Sequence, residues 1–395
     1  MREREWRTWS LEKWTAVLSG VVTVLTAVVA LGWWVGPVVV KKLTSRAAVC
    51  GISEKGRVLL DAAWLTVPAE GAGDPRPAVT GSCNSRGGGR SVSRRGPGSY
   101  EVILQDLGVD GGTVEVTAVS GAHRVCGTGG WGRTADGVDL TIRVTCVDGR
   151  GARADSGFAV RFLQGYVGIG TLAYLRYELG TTSPFIPDDN YSFNSFHRPN
   201  SVKRLRAGVY VASLQGVQRS ADSGMPGVVK VTPVGDVVHA CNPTVWDPHH
   251  DEVTGAGWMQ VEVECFDAAG APVDSRFALS YSVGLAAPPG IVARGAQLWS
   301  NQAAMRSFTP NPVWQFSSAG PLALVERRSA GDYVVKMPAA ELTRGGHTQV
   351  SAYHTAASCH PDAVPHERDD VVSVRIRCWS RGAPADARFS LLFQS

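Results

Sequence analysis

Lysine is scarce in this chain: 7 of its 39 basic residues are Lys and the remainder Arg, and the net charge at pH 7 is only +4 over 395 residues. So small an excess excludes the strongly basic surface through which nucleic acids are bound. Charged residues amount to 19% against 44% hydrophobic, which excludes wholesale disorder despite 45 Gly and 22 Pro. No Cys-x-x-Cys, Gly-x-Ser-x-Gly, Walker A or His-Glu-x-x-His segment occurs, so the common signatures of redox, acyl-transfer, phosphate-binding and zinc-protease sites are missing. Helical periodicity is absent beyond residue 40. Arg, Ala, Gly and Val stand where Lys, Ile and Asn would serve equally, which reflects GC-rich coding and points to a high-GC bacterium.

What is present begins with one long apolar run. Trp14 to Trp34 holds 21 residues without a charge, and a helix of that length, at about 1.5 Å per residue, spans a bilayer core of roughly 30 Å. Trp6, Trp9 and Trp14 flank one end and Trp33 and Trp34 the other, with Lys41 and Lys42 beyond, as headgroup-level aromatics and cations do. The run exceeds the apolar core of a secretory signal, and no small-x-small cleavage site follows it, so an anchor over residues 14–40 is expected rather than a cleaved leader. Arg and Lys on both sides leave the orientation open. Eight spaced cysteines decide it, because they suit an oxidising compartment and place the C-terminal bulk outside the cell.

Self-comparison finds three copies of one unit. The first carries Gly98-Ser-Tyr100, Val114-Glu-Val116-Thr117, Cys126, Trp131, Ile142-Arg-Val144-Thr-Cys146, Asp155-Ser156 and Phe158. The second reads Gly208-Val-Tyr210, Val229-Lys-Val231-Thr232, Cys241, Trp246, Val261-Glu-Val263-Glu-Cys265, Asp274-Ser275 and Phe277. The third reads Gly331-Asp-Tyr333, Gln349-Val350-Ser-Ala352, Cys359, Val374-Arg-Ile376-Arg-Cys378, Asp386 and Phe389. A spacing of about 110–120 residues is that of a whole small domain. Alternating apolar residues and frequent Gly, Pro, Asp and Asn predict half-buried strands in antiparallel β-sandwiches, of jelly-roll or immunoglobulin-like type. The expected organisation is a cytoplasmic 1–13, the helix 14–40, and all-β sandwich repeats at 41–164, 165–287 and 288–395.

One cysteine pair per copy predicts bridges Cys126–Cys146, Cys241–Cys265 and Cys359–Cys378. Cys83 matches Phe193 of the second copy and pairs with Cys50 by subtraction, unless Cys50 is free or joins a second chain. As a set, the Asn-Ser segment, Gly-x-Tyr-x-Val, Cys…Trp, Val-x-Val-x-Cys, Gly-x-Pro-x-Asp-Ser and last-strand Phe resemble repeats of secreted or surface-anchored actinobacterial proteins, over about residues 56–395. The resemblance implies a fold and a location and brings no catalytic residue or activity. The third copy departs from it, with Ala387 in place of Ser156 and Ser275 and no Trp after Cys359.

Few residues invite chemistry. The Asp-Ser pairs have the elements of a nucleophile, but no His recurs in register, so each Asp is expected to form a turn with nearby amides. The segments Asp247 to Glu252 and His360 to Asp370 hold metal-type ligands, yet read as solvated loops. Ser85 to Arg95, basic and Gly-rich, also reads as an exposed loop, and Trp131, Trp246 and Trp299 as core. No cofactor is expected. The leading reading is a non-catalytic surface module for a wall polymer, glycan or protein. The competing one is an enzyme or accessory with a single, possibly metal-dependent site around His354, His360 and His366. A reporter fused after Ser395 should be digested by protease added to intact cells; full protection would refute the external location.

Overall fold

The computed structural model describes residues 60–165, 171–180, 183–218, 227–283, 295–338 and 345–395. The expected anchor and Cys50 lie outside these residues. Among the described residues no helix is long and apolar enough to cross a membrane. The described chain is all-β, with two short 3-10 turns at Asp189–Tyr191 and Pro312–Trp314.

The first copy supplies β1 (Leu60–Val67), β2 (Gly81–Asn84), β3 (Arg90–Gly96), β4 (Ser99–Leu104), β5 (Thr113–Val119), β6 (Arg124–Arg133), β7 (Leu140–Asp148) and β8 (Gly157–Gly165). The second supplies β9 (Thr171–Tyr177), β10 (Ser192–Asn194), β11 (Asn200–Arg206), β12 (Val209–Gln215), β13 (Val228–Val234), β14 (Ala240–His250), β15 (Gly257–Phe266) and β16 (Arg276–Val283). From the third come β17 (Gly295–Ser300), β18 (Ser307–Phe308), β19 (Gln315–Ser317), β20 (Leu324–Ser329), β21 (Asp332–Pro338) and β22 (His347–Tyr353). It ends with β23 (Ser358–Pro361), β24 (His366–Arg368), β25 (Val371–Ser380), β26 (Ala383–Pro384) and β27 (Arg388–Gln394).

Strand order follows the sequence copies. Sheet β2-β1-β8-β5 faces β3-β4-β7-β6, β10-β9-β16-β13 faces β11-β12-β15-β14, and β19-β17-β27-β22 faces a sheet running β18-β20-β21-β25-β23. Each facing pair encloses one apolar cluster, with Tyr100 and Phe158, Tyr210 and Phe277, or Tyr333 and Phe389 at its centre. First and last strands lie side by side in each set, an order unlike the seven-stranded immunoglobulin arrangement.

One expectation about burial fails informatively. Amphipathic alternation predicts strands wet on one face, but every residue of β5, β13 and β22 is buried. These corresponding strands of the three copies contact one another, so the face that would meet water meets a neighbouring copy instead. The copies are also joined at one parallel rung, Val234 to Thr128, which merges two of the sheets into a single eight-stranded one.

The bridges Cys126–Cys146, Cys241–Cys265 and Cys359–Cys378 are present, each between directly opposed residues of an antiparallel pair. Their Cα separations of 4.1, 4.0 and 4.1 Å lie just below the common range of about 4.4–6.8 Å, because directly facing strand positions bring the backbones closest. Cys83 is disulfide-bonded as well, and no described cysteine is free. Its match with Phe193 holds in register, since Cys83 lies opposite Trp64 and Phe193 opposite Tyr174. Replacing Cys126 and Cys146 together by Ala should lower unfolding free energy by about 3 kcal/mol, the chain-entropy value for loops of this size. Denaturant titration of the variant against the parent checks it; an unchanged midpoint would sink the claim.

Candidate functional site

The repeated Asp is the residue that most invites a catalytic reading, and its surroundings account for it otherwise. Asp155 Oδ1 accepts hydrogen bonds from the Gly98 amide at 2.9 Å and the Tyr100 hydroxyl at 3.2 Å, while Arg94 forks onto both carboxylate oxygens at 2.9 Å. Tyr100 Oη in turn accepts from the Ser156 amide at 3.1 Å. Asp274 repeats this with Gly208, Tyr210 and Arg204, and Asp386 with Gly331, Tyr333 and Arg327. The Arg204 fork is the main reason that the Asp274 carboxyl is held down to about 2. Neighbouring Ser hydroxyls donate to adjacent carbonyls, Ser156 to Gly157 and Ser275 to Arg276, and hold no base.

This corrects the expectation of a local turn: the amide that each Asp captures lies on a hairpin more than fifty residues away in sequence. It also explains the repeated Gly. Gly98, Gly208 and Gly331 have φ of 59°, 70° and 65°, and a Cβ at Gly98 or Gly331 would sit 2.3 Å from the carbonyl oxygen of Cys146 or Cys378. The Arg that completes each lock was not singled out in sequence, although Arg94, Arg204 and Arg327 each stand four residues before the Gly of the Gly-x-Tyr.

The metal-type segments are ordered differently from the expected loops. Asp247 to His250 belongs to β14, with His249 opposite Trp258 and stacked on it at 5.7 Å. Asp251 then closes the hairpin by accepting from the Val253 and Thr254 amides at 2.9 Å. Among the three histidines of the competing reading, His354 is exposed in a left-handed turn, His366 is exposed in β24, and His360 is 2% exposed within β23. Among the described residues no group of three or more His, Cys, Asp or Glu could hold a metal. The basic stretch is half strand, and Arg86, Arg94 and Arg95 are engaged by Asp61, Asp155 and Glu101. Trp131 and Trp246 are buried, their Nε1 groups donating to the Gly111 and Gly227 carbonyls. Trp299 is half-buried and packs edge-on against Trp246 at 4.2 Å.

No family model matches this chain, and no curated protein does. Its chemistry is therefore read from its own side chains, and a buried polar group sits where β5, β13 and β22 meet. Glu115, Lys230 and Gln349 occupy corresponding positions on these strands and each reaches the last strand of the next copy. Glu115 accepts from Ser280 Oγ at 2.7 Å, Lys230 Nζ donates to Ser390 O at 2.8 Å, and Gln349 Nε2 donates to Ala159 O at 3.1 Å. The contacts run from first copy to second, second to third and third back to first, so they close in a ring. A second layer repeats the sense, with the Val116 amide on Thr232 Oγ1 at 3.0 Å and the Val350 amide on Thr117 Oγ1 at 3.2 Å. Arg161, 3% exposed, pairs with Glu115 at 3.4 Å, and His347 lies buried beside Gln349 at 3.1 Å. Burial pushes Lys230 down to about 7 and His347 down to about 3, the latter also disfavoured by Arg161.

Glu115→Gln should therefore destabilise the protein by about 3–5 kcal/mol, since it leaves Arg161 buried without its counter-charge. Lys230→Met should cost little or stabilise, because it removes a charge that burial already opposes. The parent should gain stability as pH rises from about 7 towards 10.5, where the unfolded chain keeps a proton that folded Lys230 has released. That slope should vanish in Lys230→Met; its persistence in urea titrations across this pH window would refute the assignment.

Proposed function

We propose that this chain is a membrane-anchored extracellular scaffold in which three tandem, disulfide-stapled sandwich repeats follow a single-pass helix at residues 14–40, and that it is a non-catalytic binding module for a glycan-bearing wall polymer. The observation that carries the reading is the fate of the repeated residues. Gly98, Tyr100, Asp155 and Arg94, with their counterparts in both other copies, are spent on one structural lock, and the paired cysteines staple the strand beside it. Repetition here preserves a framework, not a reactive constellation.

Three bridges among the described residues support an oxidising location, since disulfides persist where thiols are not kept reduced. Closure of the copies upon one another favours a stiff module over beads on a string, which suits a protein standing off a membrane in a polymer matrix. Full-length protein in detergent micelles should bind isolated wall polymer saturably in co-sedimentation, and deglycosylated polymer should lose the binding. Retention by protein components alone, or no retention by any wall fraction, would overturn the proposal.

A further inference from the structure

At the junction of the first and second copies a pocket of about 460 Å³ is lined by Arg143, Arg176 and Arg276, with Glu101, Trp131 and several glycines completing its wall. The arginines are accessible there: Arg143 is exposed, and the side chains of Arg176 and Arg276 are 22% and 50% exposed. Arg176 is held by aromatic rings, its guanidinium 5.1 Å from the centre of Trp131 and 4.6 Å from that of Tyr191. Arg276 stands beside it, since Ala278, two residues along β16, lies opposite Arg176, and Glu178 bridges both guanidinium groups. On the first copy's wall Arg143 lies opposite Gly130 of β6 and Glu101 of β4, and donates to the Gly129 carbonyl. Its Nη2 is 3.2 Å from where a Cβ at Gly130 would sit, so this guanidinium rests over the backbone that leads into Trp131.

The pocket exists because this junction departs from the next one. Trp299 holds the position of Arg176 in the third copy, opposite Ser390 as Arg176 is opposite Ala278, and rings close that junction: Trp299 lies 4.2 Å from Trp246 and 5.9 Å from Trp314. With Trp131 matched to Trp246, β14 carries Thr244, Val245 and Asp247 where β6 has Gly129, Gly130 and Gly132. Gly130, with φ of 123°, is required by its backbone, but Gly132 is outside the left-handed region and a Cβ there would meet nothing within 4 Å. No local constraint demands a bare backbone at Gly132; what the glycine leaves is room in the pocket. Charge narrows the occupant. Arg95, paired with Glu101, joins the three lining arginines, and against these four stand Glu101, Glu178 and Asp236, whose Oδ1 lies 3.6 Å from a Cβ built at Gly129. One positive charge remains over, and among the described residues Arg143 forms no ion pair. An occupant with a single negative charge balances it. A lone oxyanion would leave most of the space empty, whereas pockets of about 300–1,000 Å³ take ligands built on a ring.

We infer that this pocket binds a sugar residue of a glycan that carries one negative charge, as a carboxylate or a phosphodiester, with Arg143 on its oxyanion and Arg176 and Arg276 on the facing wall. The inference rests on the binding-module reading above and names the class of sugar and its site. A planar guanidinium fork matches either oxyanion. Arg176, already immobilised against two rings, gives up little further freedom on binding.

The test uses full-length protein in neutral detergent micelles at low salt, with calorimetric titration of methyl glucuronoside, of methyl glucoside bearing a methyl phosphodiester, and of neutral methyl glucoside. At least one charged sugar should bind saturably and about tenfold or more tighter than the neutral one, and the tighter of the two identifies the anion. Arg143→Gln and Gly132→Thr should each weaken it about tenfold, the first by removing a charge-assisted hydrogen bond and the second by filling the pocket. Arg143 is exposed and Gly132 has open space beside it, so thermal unfolding should be unchanged in the first variant and unchanged or raised in the second, which separates lost binding from lost folding. No saturable binding of either charged sugar, equal binding of the neutral one, or undiminished affinity in either variant would each overturn the inference. Wall polymer retained equally by parent and variants would refute this pocket while leaving the binding-module reading intact; polymer retained by neither would refute that reading, and the charged-sugar titrations would still decide the site.

Discussion

The structure depends on the burial of both faces of β5, β13 and β22. A strand in an ordinary sandwich can send every second side chain to water, but these cannot. Each polar side chain on the second face must find its partner inside protein or carry the cost of desolvation. The partners come from the adjoining copies: Ser280 for Glu115, Ser390 for Lys230, Ala159 for Gln349. Because each reaches the next copy in the same sense, the third contact returns to the first copy, and the set is complete only when all three are in place. Removing the second or third copy would expose the polar second faces of the two that remain and leave the Arg161–Glu115 pair at an open edge.

Divergence among the copies follows from this closure. A symmetric ring of three identical residues would bury three like charges or three unpaired acceptors at one point. Glu, Lys and Gln at corresponding positions, with Arg161, Ser280 and Leu392 facing them on the last strands, provide opposite charge, neutral donors and apolar filling within a single chain. Covalent connection allows such asymmetry, which three copies of one short chain could not achieve.

Within each copy a second device ties the two sheets. The Asp lock joins the hairpin before β4, β12 or β21 to the chain entering β8, β16 or β27, and the cysteine that lies beside the Gly turn donates its amide to that Gly carbonyl at 2.8, 2.8 and 2.9 Å. Disulfide, glycine turn, tyrosine and carboxylate therefore form one connected corner. Each member constrains the next, which is why they recur together in the chain rather than singly.

The strands, their alternation and the three bridges were legible because each is a local signal: period two along a strand, and a Val-x-Val-x-Cys beside its partner strand. The lock was half legible. Asp, Tyr and Gly recur visibly, but Arg94, Arg204 and Arg327 sit on a strand whose sequence otherwise varies, and nothing along the chain shows that an Asp captures an amide across a sheet. Tertiary structure alone decided that Asp247 to His250 continues a strand, that His360 is buried while His354 and His366 are exposed, and that β5, β13 and β22 meet. Local pattern determines which face of a strand is apolar; what covers the other face is a long-range contact with an energy spread over residues more than a hundred positions apart, and no periodicity records it.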